Sequence, residues 1–246
     1  MAEKKHLENA PITEALIDIR VKLSTNFDVA VFDSLNTKEL SDYPLKEKQS
    51  EYSADLKVDK DEPSIKTRSK GVKGYIYKTK DNKNVVQFRR DGFTFNRLRP
   101  YTKWEEIIST AKRLWFIYAD YARPLEVTRI ATRYINQIKL PLPINDFSKY
   151  MKAPPQNPLN VDTINGYLNR IKLLDQENQI GTNIIQTLEM GTEKGNITLL
   201  LDIDSYMNKN FQSDDPEIWN QFKKLRIKKN SVFFNSLTDE AINLHV

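Results

Sequence analysis

The chain contains no cysteine, which removes disulfides, thiol nucleophiles and thiolate metal sites together. Its two histidines, His6 and His245, both stand beside a terminus, where chains are usually mobile, whereas a general base must be held within hydrogen-bond reach of its proton. Cys–His proteases, Ser–His–Asp hydrolases and most zinc enzymes are therefore excluded. Glycine is scarce, at seven residues in 246, and no G-x-x-x-x-G-K-[ST], G-x-G-x-x-G, H-E-x-x-H or G-x-S-x-G string occurs. Little material remains for a phosphate-cradling loop, so the sequence argues against an enzyme and implies no cofactor. No apolar run approaches the roughly 20 residues of a membrane span. The Met1-Ala2-Glu3-Lys4-Lys5-His6 start has no apolar signal-peptide core. A cytoplasmic protein without membrane contact is the expectation.

What is present is charge and aromatic mass. Hydrophobic residues make up 39 %, with 11 Phe, 11 Tyr and 3 Trp, and 29 % of residues are charged. That is enough to fill a core in one large domain or two small ones. The net charge is +5, and it is unevenly spread. Between Lys66 and Lys103 lie twelve basic residues and two acids, Asp81 and Asp91, a local balance of +10. A folded surface of that sign attracts anions, above all phosphates.

Residues 15–23 alternate apolar and polar and predict a half-buried strand. A short helix is expected over 27–42, with caps at Ser24 to Asn26, then a strand at 52–58 and a polar connection at 59–71. Strands are predicted at 74–80, 84–90 and 93–98, broken by Asp81-Asn82-Lys83 and Asp91-Gly92, the latter a hairpin signal of type I′. Lys103 to Ala122 carries a wide apolar stripe (Trp104, Ile107, Ala111, Leu114, Trp115, Tyr118) and predicts a long amphipathic helix. The order then repeats. A strand at 126–139 and a short helix at 144–151 precede a break at Pro154-Pro155 and Pro158. Strands near 164–173, 181–190 and 196–204 follow, the last turn flanked by Gly191 and Gly195. A helix begins at Asp214-Asp215-Pro216-Glu217, and Ser236–Ala241 opens a final short one. The predicted fold class is α+β: two similar halves, 1–123 and 124–246, each an antiparallel meander on a long amphipathic helix. One continuous α+β sheet is the alternative.

Three groups of residues carry candidate chemistry. Lys66, Arg68, Lys70, Lys73, Arg89 and Arg90 lie on or beside the basic meander and can engage phosphates, with Tyr75, Tyr77 or Phe93 stacking on unpaired bases. The structural alternative has the cations guarding a solvated sheet edge and the aromatics in the core. Arg129 and Arg133 are four apart on one strand and share a face. They either clamp a carboxylate or phosphate or, as the favoured reading, pair with acids such as Glu14, Asp18 or Glu189. Asp202 and Asp204 form a weak D-x-D candidate for Mg²⁺, better read as two solvated acids before a loop, so no metal is expected.

Four strings together resemble a sporadically distributed, functionally uncharacterised prokaryotic family. They are Asn9-Ala10-Pro11-Ile12-Thr13-Glu14-Ala15, Phe93-Thr94-Phe95-Asn96-Arg97-Leu98-Arg99-Pro100-Tyr101-Thr102-Lys103-Trp104, Arg133-Tyr134-Ile135-Asn136 with Leu140-Pro141, and the Ser236–Ala241 tail. Ala10 departs from that pattern, where a second proline is expected. The resemblance implies a soluble bacterial or archaeal protein with no assigned catalytic residues, and its sporadic distribution suits an accessory gene of a phage-defence or toxin–antitoxin locus. Within the second string, Pro100 stops the strand, Tyr101 and Trp104 staple the incoming helix, and Arg97 is expected to reach a neighbouring carboxylate. This corner, with Arg129 and Arg133, is a structural or partner-binding element.

The leading expectation is a non-catalytic binding module that engages a protein partner or a second copy of itself. The alternative is nucleic-acid binding through the basic 66–103 face.

Overall fold

The alternating N-terminal segment becomes the middle strand of the whole protein. A computed structural model describes residues 7–35, 38–58, 63–144, 146–157, 164, 166–190 and 196–245. Along the chain come β1 (Ile12–Lys22), a 3-10 turn (Val29–Phe32), β2 (Leu45–Val58), β3 (Pro63–Lys78), β4 (Asn84–Arg89), β5 (Gly92–Leu98) and α1 (Trp104–Ala122). They are followed by β6 (Glu126–Pro141), a second 3-10 turn (Phe147–Lys149), β7 (Tyr167–Asp175), β8 (Ile180–Met190), β9 (Asn196–Met207), α2 (Glu217–Ser236) and α3 (Asp239–Asn243). All nine strands join in one sheet, in the order β2-β3-β4-β5-β1-β6-β9-β8-β7, and every neighbouring pair is antiparallel.

This architecture corrects the expectation of two halves, each a meander on its own helix. β1 pairs along its length with β5 on one side and β6 on the other, so the sheet has no break at its centre. The division at 123/124 falls at the C-cap of α1. It is a boundary between elements, and the hydrogen-bonded ladder crosses it. Two further expectations change. Among the described residues of 27–42 the expected helix is only the 3-10 turn, capped by Asp28 on Ala30 N. The polar stretch 59–71 largely belongs to β3, which pairs with β2 from Val58↔Pro63 to Leu45↔Lys78. Since β4 meets β3 only over Gly74–Lys78, residues 50–58 and 63–72 form a two-stranded ribbon, roughly 30 Å long at about 3.3 Å per residue. Residues 63–71 are mostly polar, which is why this part of β3 reads as a connection, whereas the strand expected at 52–58 forms the end of β2. His6, Pro158, Gly191 and Gly195 lie outside the described residues.

One face of the sheet is apolar and both long helices pack on it. Ala15, Ile17, Ile19 and Val21 of β1 lie beside Phe93 and Phe95 of β5, with Trp115 and Tyr118 of α1 above them. The ring of Phe88 is 5.5 Å from Phe32 and 6.0 Å from Phe93, and Phe93 meets Trp115 edge-on at 5.9 Å. Such pairs contribute about 0.5–1.5 kcal/mol each beyond their buried area. Ile218, Phe222 and Leu225 of α2 extend this core, and a second cluster gathers Leu199, Leu201 and Ile203 of β9 with Phe233 and α3. Among the described residues no helix covers the opposite face, and none is long and apolar enough to cross a membrane.

The Asp-Gly hairpin is built differently from the type I′ expectation. Arg89 pairs with Gly92, which makes Arg90 and Asp91 the two turn residues. Of these residues only Gly92, φ +148°, has positive φ. Its hydrogen faces β1: a Cβ there would stand 2.2 Å from the Ile19 carbonyl oxygen. Because the obstacle is backbone, Gly92→Ala must either strain the turn or push β5 off β1. It is expected to cost at least about 2 kcal/mol in urea unfolding. A change below about 0.5 kcal/mol would show that β1 and β5 do not approach so closely.

Candidate functional site

The polar side chains of the central strands collect on the uncovered face. Asp18 stands opposite Thr94 of β5 and Ala131 of β6. Its Oδ1 accepts from the Thr94 hydroxyl (2.6 Å) and Arg89 Nη2 (3.2 Å). Its Oδ2 accepts from Arg20 Nε (3.0 Å) and Arg129 Nη1 (3.2 Å). Three guanidiniums and a hydroxyl thus saturate one carboxylate. Arg20 and Arg89 also share Asp91, at 2.6 and 3.0 Å. Arg129 reaches on to Asp204 (3.0 Å), which takes a further hydrogen bond from Asn183 Nδ2 (3.1 Å). Arg133 grips Asp202 with both Nε (2.8 Å) and Nη2, the bidentate geometry that makes such pairs strong. The guanidinium of Arg129 also stacks over Tyr206, 4.8 Å from the ring centroid.

Electrostatically this floor is balanced: four arginines face four aspartates. Burial alone would raise the Asp91 carboxyl, but Arg89 and Arg20 outweigh it and hold it below the ordinary carboxylate range. At Asp204 burial wins over Arg129 and Asn183, and the carboxyl is raised. The open depression above the network, about 520 Å³, is lined by Asp18, Arg20, Arg89, Arg129, Arg133 and Asp204 among others. Its charged groups are already engaged with one another. Asp202 and Asp204, expected as solvated acids, are partly or wholly buried and paired with Arg133 and Arg129. Among the described residues no group of three or more His, Cys, Asp or Glu is placed to hold a metal.

The +10 segment is partly offset in space by acids from elsewhere in the chain. β2 supplies Glu51 to Lys70 (3.1 Å) and Glu47 to Lys78 (2.6 Å), β1 supplies Asp18 to Arg89 (3.2 Å), and α1 supplies Glu106 to Lys103 (3.3 Å). Lys73 lies 3.5 Å from Asp91. Of the six cations expected to bind anions, Arg89 is buried in the network. Arg68 and Arg90 are exposed without an ion pair among the described residues, and the side chain of Lys66 lies outside them. Lys70, Lys73 and Arg90 line a second depression of about 350 Å³ together with Glu51 and Asp91. The aromatics proposed to stack on bases, Tyr75, Tyr77 and Phe93, are all buried.

No protein-family model matches the chain, and no curated protein matches it. The corner between β5 and α1 is architectural in its contacts. Arg97 donates to Asn84 Oδ1 and to the Pro100 carbonyl (both 3.2 Å), where a carboxylate was expected. Tyr101 meets Tyr134 edge-on at 5.8 Å, and Trp104 is buried beneath the Arg226 guanidinium, 5.3 Å away.

A feature absent from the sequence reading lies at the end of the sheet. Among the described residues β7 pairs with β8 alone, leaving one side of its backbone without a partner strand there, and it carries exposed Leu168 (73 %), Leu174 (63 %), Leu173 and Ile171. Its sequence, Tyr-Leu-Asn-Arg-Ile-Lys-Leu-Leu-Asp, has leucines on both faces. The sequence predicts the strand without showing that the strand is an edge.

Removing the Asp18 carboxylate leaves three arginines without their shared acceptor. Asp18→Ala is expected to cost roughly 2–4 kcal/mol, against a far smaller change for Asp33→Ala, which breaks only the exposed surface pair with Lys46. Urea titration of the two variants checks this, and equal costs would contradict it. Asp91 adds a pH signature. Its folded value is depressed, so its contribution is fully present above the ordinary carboxylate value of about 4 and is lost as pH falls through the folded value. Asp91→Asn is therefore expected to flatten the acid limb of the stability profile.

Proposed function

We propose that this protein is a non-catalytic cytoplasmic binding module that engages a protein partner by accepting an extended segment along β7. The observation that carries the reading is the edge of β7, unpaired among the described residues, with its four exposed apolar side chains. A long edge strand offers a row of unpaired N–H and C=O groups to another chain, and natural proteins normally cover or interrupt such an edge. Arg170 and Lys172 lie on one face of β7 between Leu168 and Leu174. The complementary segment therefore places acidic residues between apolar ones. An antiparallel self-pairing centred on Ile171 would set Arg170 against Lys172, which favours a different protein over a second copy.

The engaged carboxylates and arginines of the central face support the non-catalytic part. A nucleic-acid reading keeps Arg68 and Arg90 as exposed cations, but its stacking aromatics belong to the core.

The test is a pulldown from the native host with the wild type, with Arg170→Glu plus Lys172→Glu, and with Leu168→Asp plus Leu174→Asp. All four residues are surface positions, so unchanged thermal unfolding is expected. One protein retained in stoichiometric amount by the wild type and released by both double variants is the predicted result. A partner retained equally by all three, or released only by Arg68→Glu plus Arg90→Glu, would overturn the assignment to β7.

A further inference from the structure

Helical phase puts one lysine of α2 among apolar residues. Phe222, Leu225, Lys229 and Phe233 are spaced three, four and four apart, which places them on one face of the helix. All four are buried, Lys229 to 7 % exposure. Its ammonium lies over the Tyr134 ring, 3.6 Å from the centroid, and among the described residues it has no carboxylate and no hydrogen-bond acceptor. A buried cation without either is costly. Beside it is a cavity of about 100 Å³ between α2, the segment leading into β1 and the β5–α1 corner. Its walls include Leu7, Pro11, Ile12 and Phe233, and its polar lining is Tyr101, Asn136, Asn230, Arg226 and Lys229. Among the described residues two cations and no acid line it.

We propose that this cavity is a binding site for a small organic carboxylate, with the apolar body against Phe233, Ile12 and Leu7 and the carboxylate at Lys229 and Arg226. A carboxylate supplies the acceptor that the Lys229 ammonium lacks and the negative charge that the lining lacks. A cation–π contact with Tyr134 remains beneath it. Arg226 holds Glu105 at 3.2 Å on its outer side, and its guanidinium spans from that surface pair to the cavity wall.

Other groups facing Lys229 set the pH behaviour. Arg226 on α2 is a cation, Glu105 on α1 is tied to Arg226, and Tyr101 and Tyr134 are phenols raised above their ordinary value by burial. Burial, helped by Arg226, brings the Lys229 ammonium down to about 7. A bound carboxylate favours the charged amine, so binding near neutral pH takes up a proton. Above pH 7 affinity is expected to fall by up to about tenfold per unit.

Benzoate is the probe and benzamide its uncharged control, measured by calorimetry on the full chain. The expected result is benzoate binding at least about tenfold tighter than benzamide, weakening between pH 6.5 and 9, with proton uptake revealed by buffers of different ionisation heat. Lys229→Met, which keeps the volume and removes the amine, is expected to lose benzoate binding. It is also expected to melt above the wild type at pH 6.5, by a margin that shrinks towards pH 10. That sign follows because the folded value lies below the unfolded value of about 10.4, so the wild type gains stability as pH rises between them. Absence of benzoate binding at about 10 mM, equal binding of benzamide, or pH-independent affinity in the wild type would overturn the proposal even if Lys229→Met failed to fold. Unchanged benzoate affinity in a folded Lys229→Met would do the same.

Discussion

The structure depends on the convergence of Arg20, Arg89 and Arg129 on the Asp18 carboxylate. Those residues come from β1, β4 and β6, and Thr94 adds β5. One side chain therefore ties four strands across the midline of a nine-stranded sheet, on the face that no described helix covers. Arg129 carries the tie to β9 and Asn183 to β8 through Asp204. With one face buried, a slip by one residue would turn the apolar side chains of a strand to water, so the apolar face already resists slippage. Here a slip would also leave several buried charges unpaired, which adds to that cost. The network thus reinforces the register that the apolar alternation of β1 already favours.

That role draws Arg89 out of the strongest charge signal in the sequence and into the central face. The +10 of Lys66–Lys103 is also reduced by folding. Folding brings Glu47 and Glu51 from β2, Asp18 from β1 and Glu106 from α1 against it. Besides exposed Arg68 and Arg90, two features are left without internal partners among the described residues: the apolar edge of β7 and the amine of Lys229. Both lie in the second half of the sequence, where composition shows no unusual bias.

The elements with a strong period were legible. β1, β4, β5 and α1 follow from alternation and from the stripe through Trp104, Leu114 and Trp115, because each buries one face. The β2–β3 ribbon was legible in part: Tyr52, Ala54, Leu56 and Val58 alternate with polar residues and mark the end of β2, whereas β3 before Gly74 is mostly polar and reads as a connection. The single sheet was not legible: the pairing of β1 with β6 joins residues more than a hundred positions apart, and no local pattern encodes it. Site residues divide in the same way. Alternation puts Arg129 and Arg133 on one face and suggests acids as partners, Asp18 among them. Asp202 and Asp204 become partners only once β9 lies beside β6. Lys229 was legible in principle from its phase with Phe222, Leu225 and Phe233, but the lysines at 223, 224 and 228 around it mask that phase.

Native-state hydrogen exchange tests the central claim most directly, because it resolves the opening free energy of each strand. If the Asp18 network makes the sheet one unit, amides of β1, β5, β6 and β9 will open together at the highest free energy. The outer β2–β3 ribbon will open well below them. If β1 with β5 opened at one free energy and β6 with β9 at another, the sheet would consist of two independently stable parts and the account would be wrong.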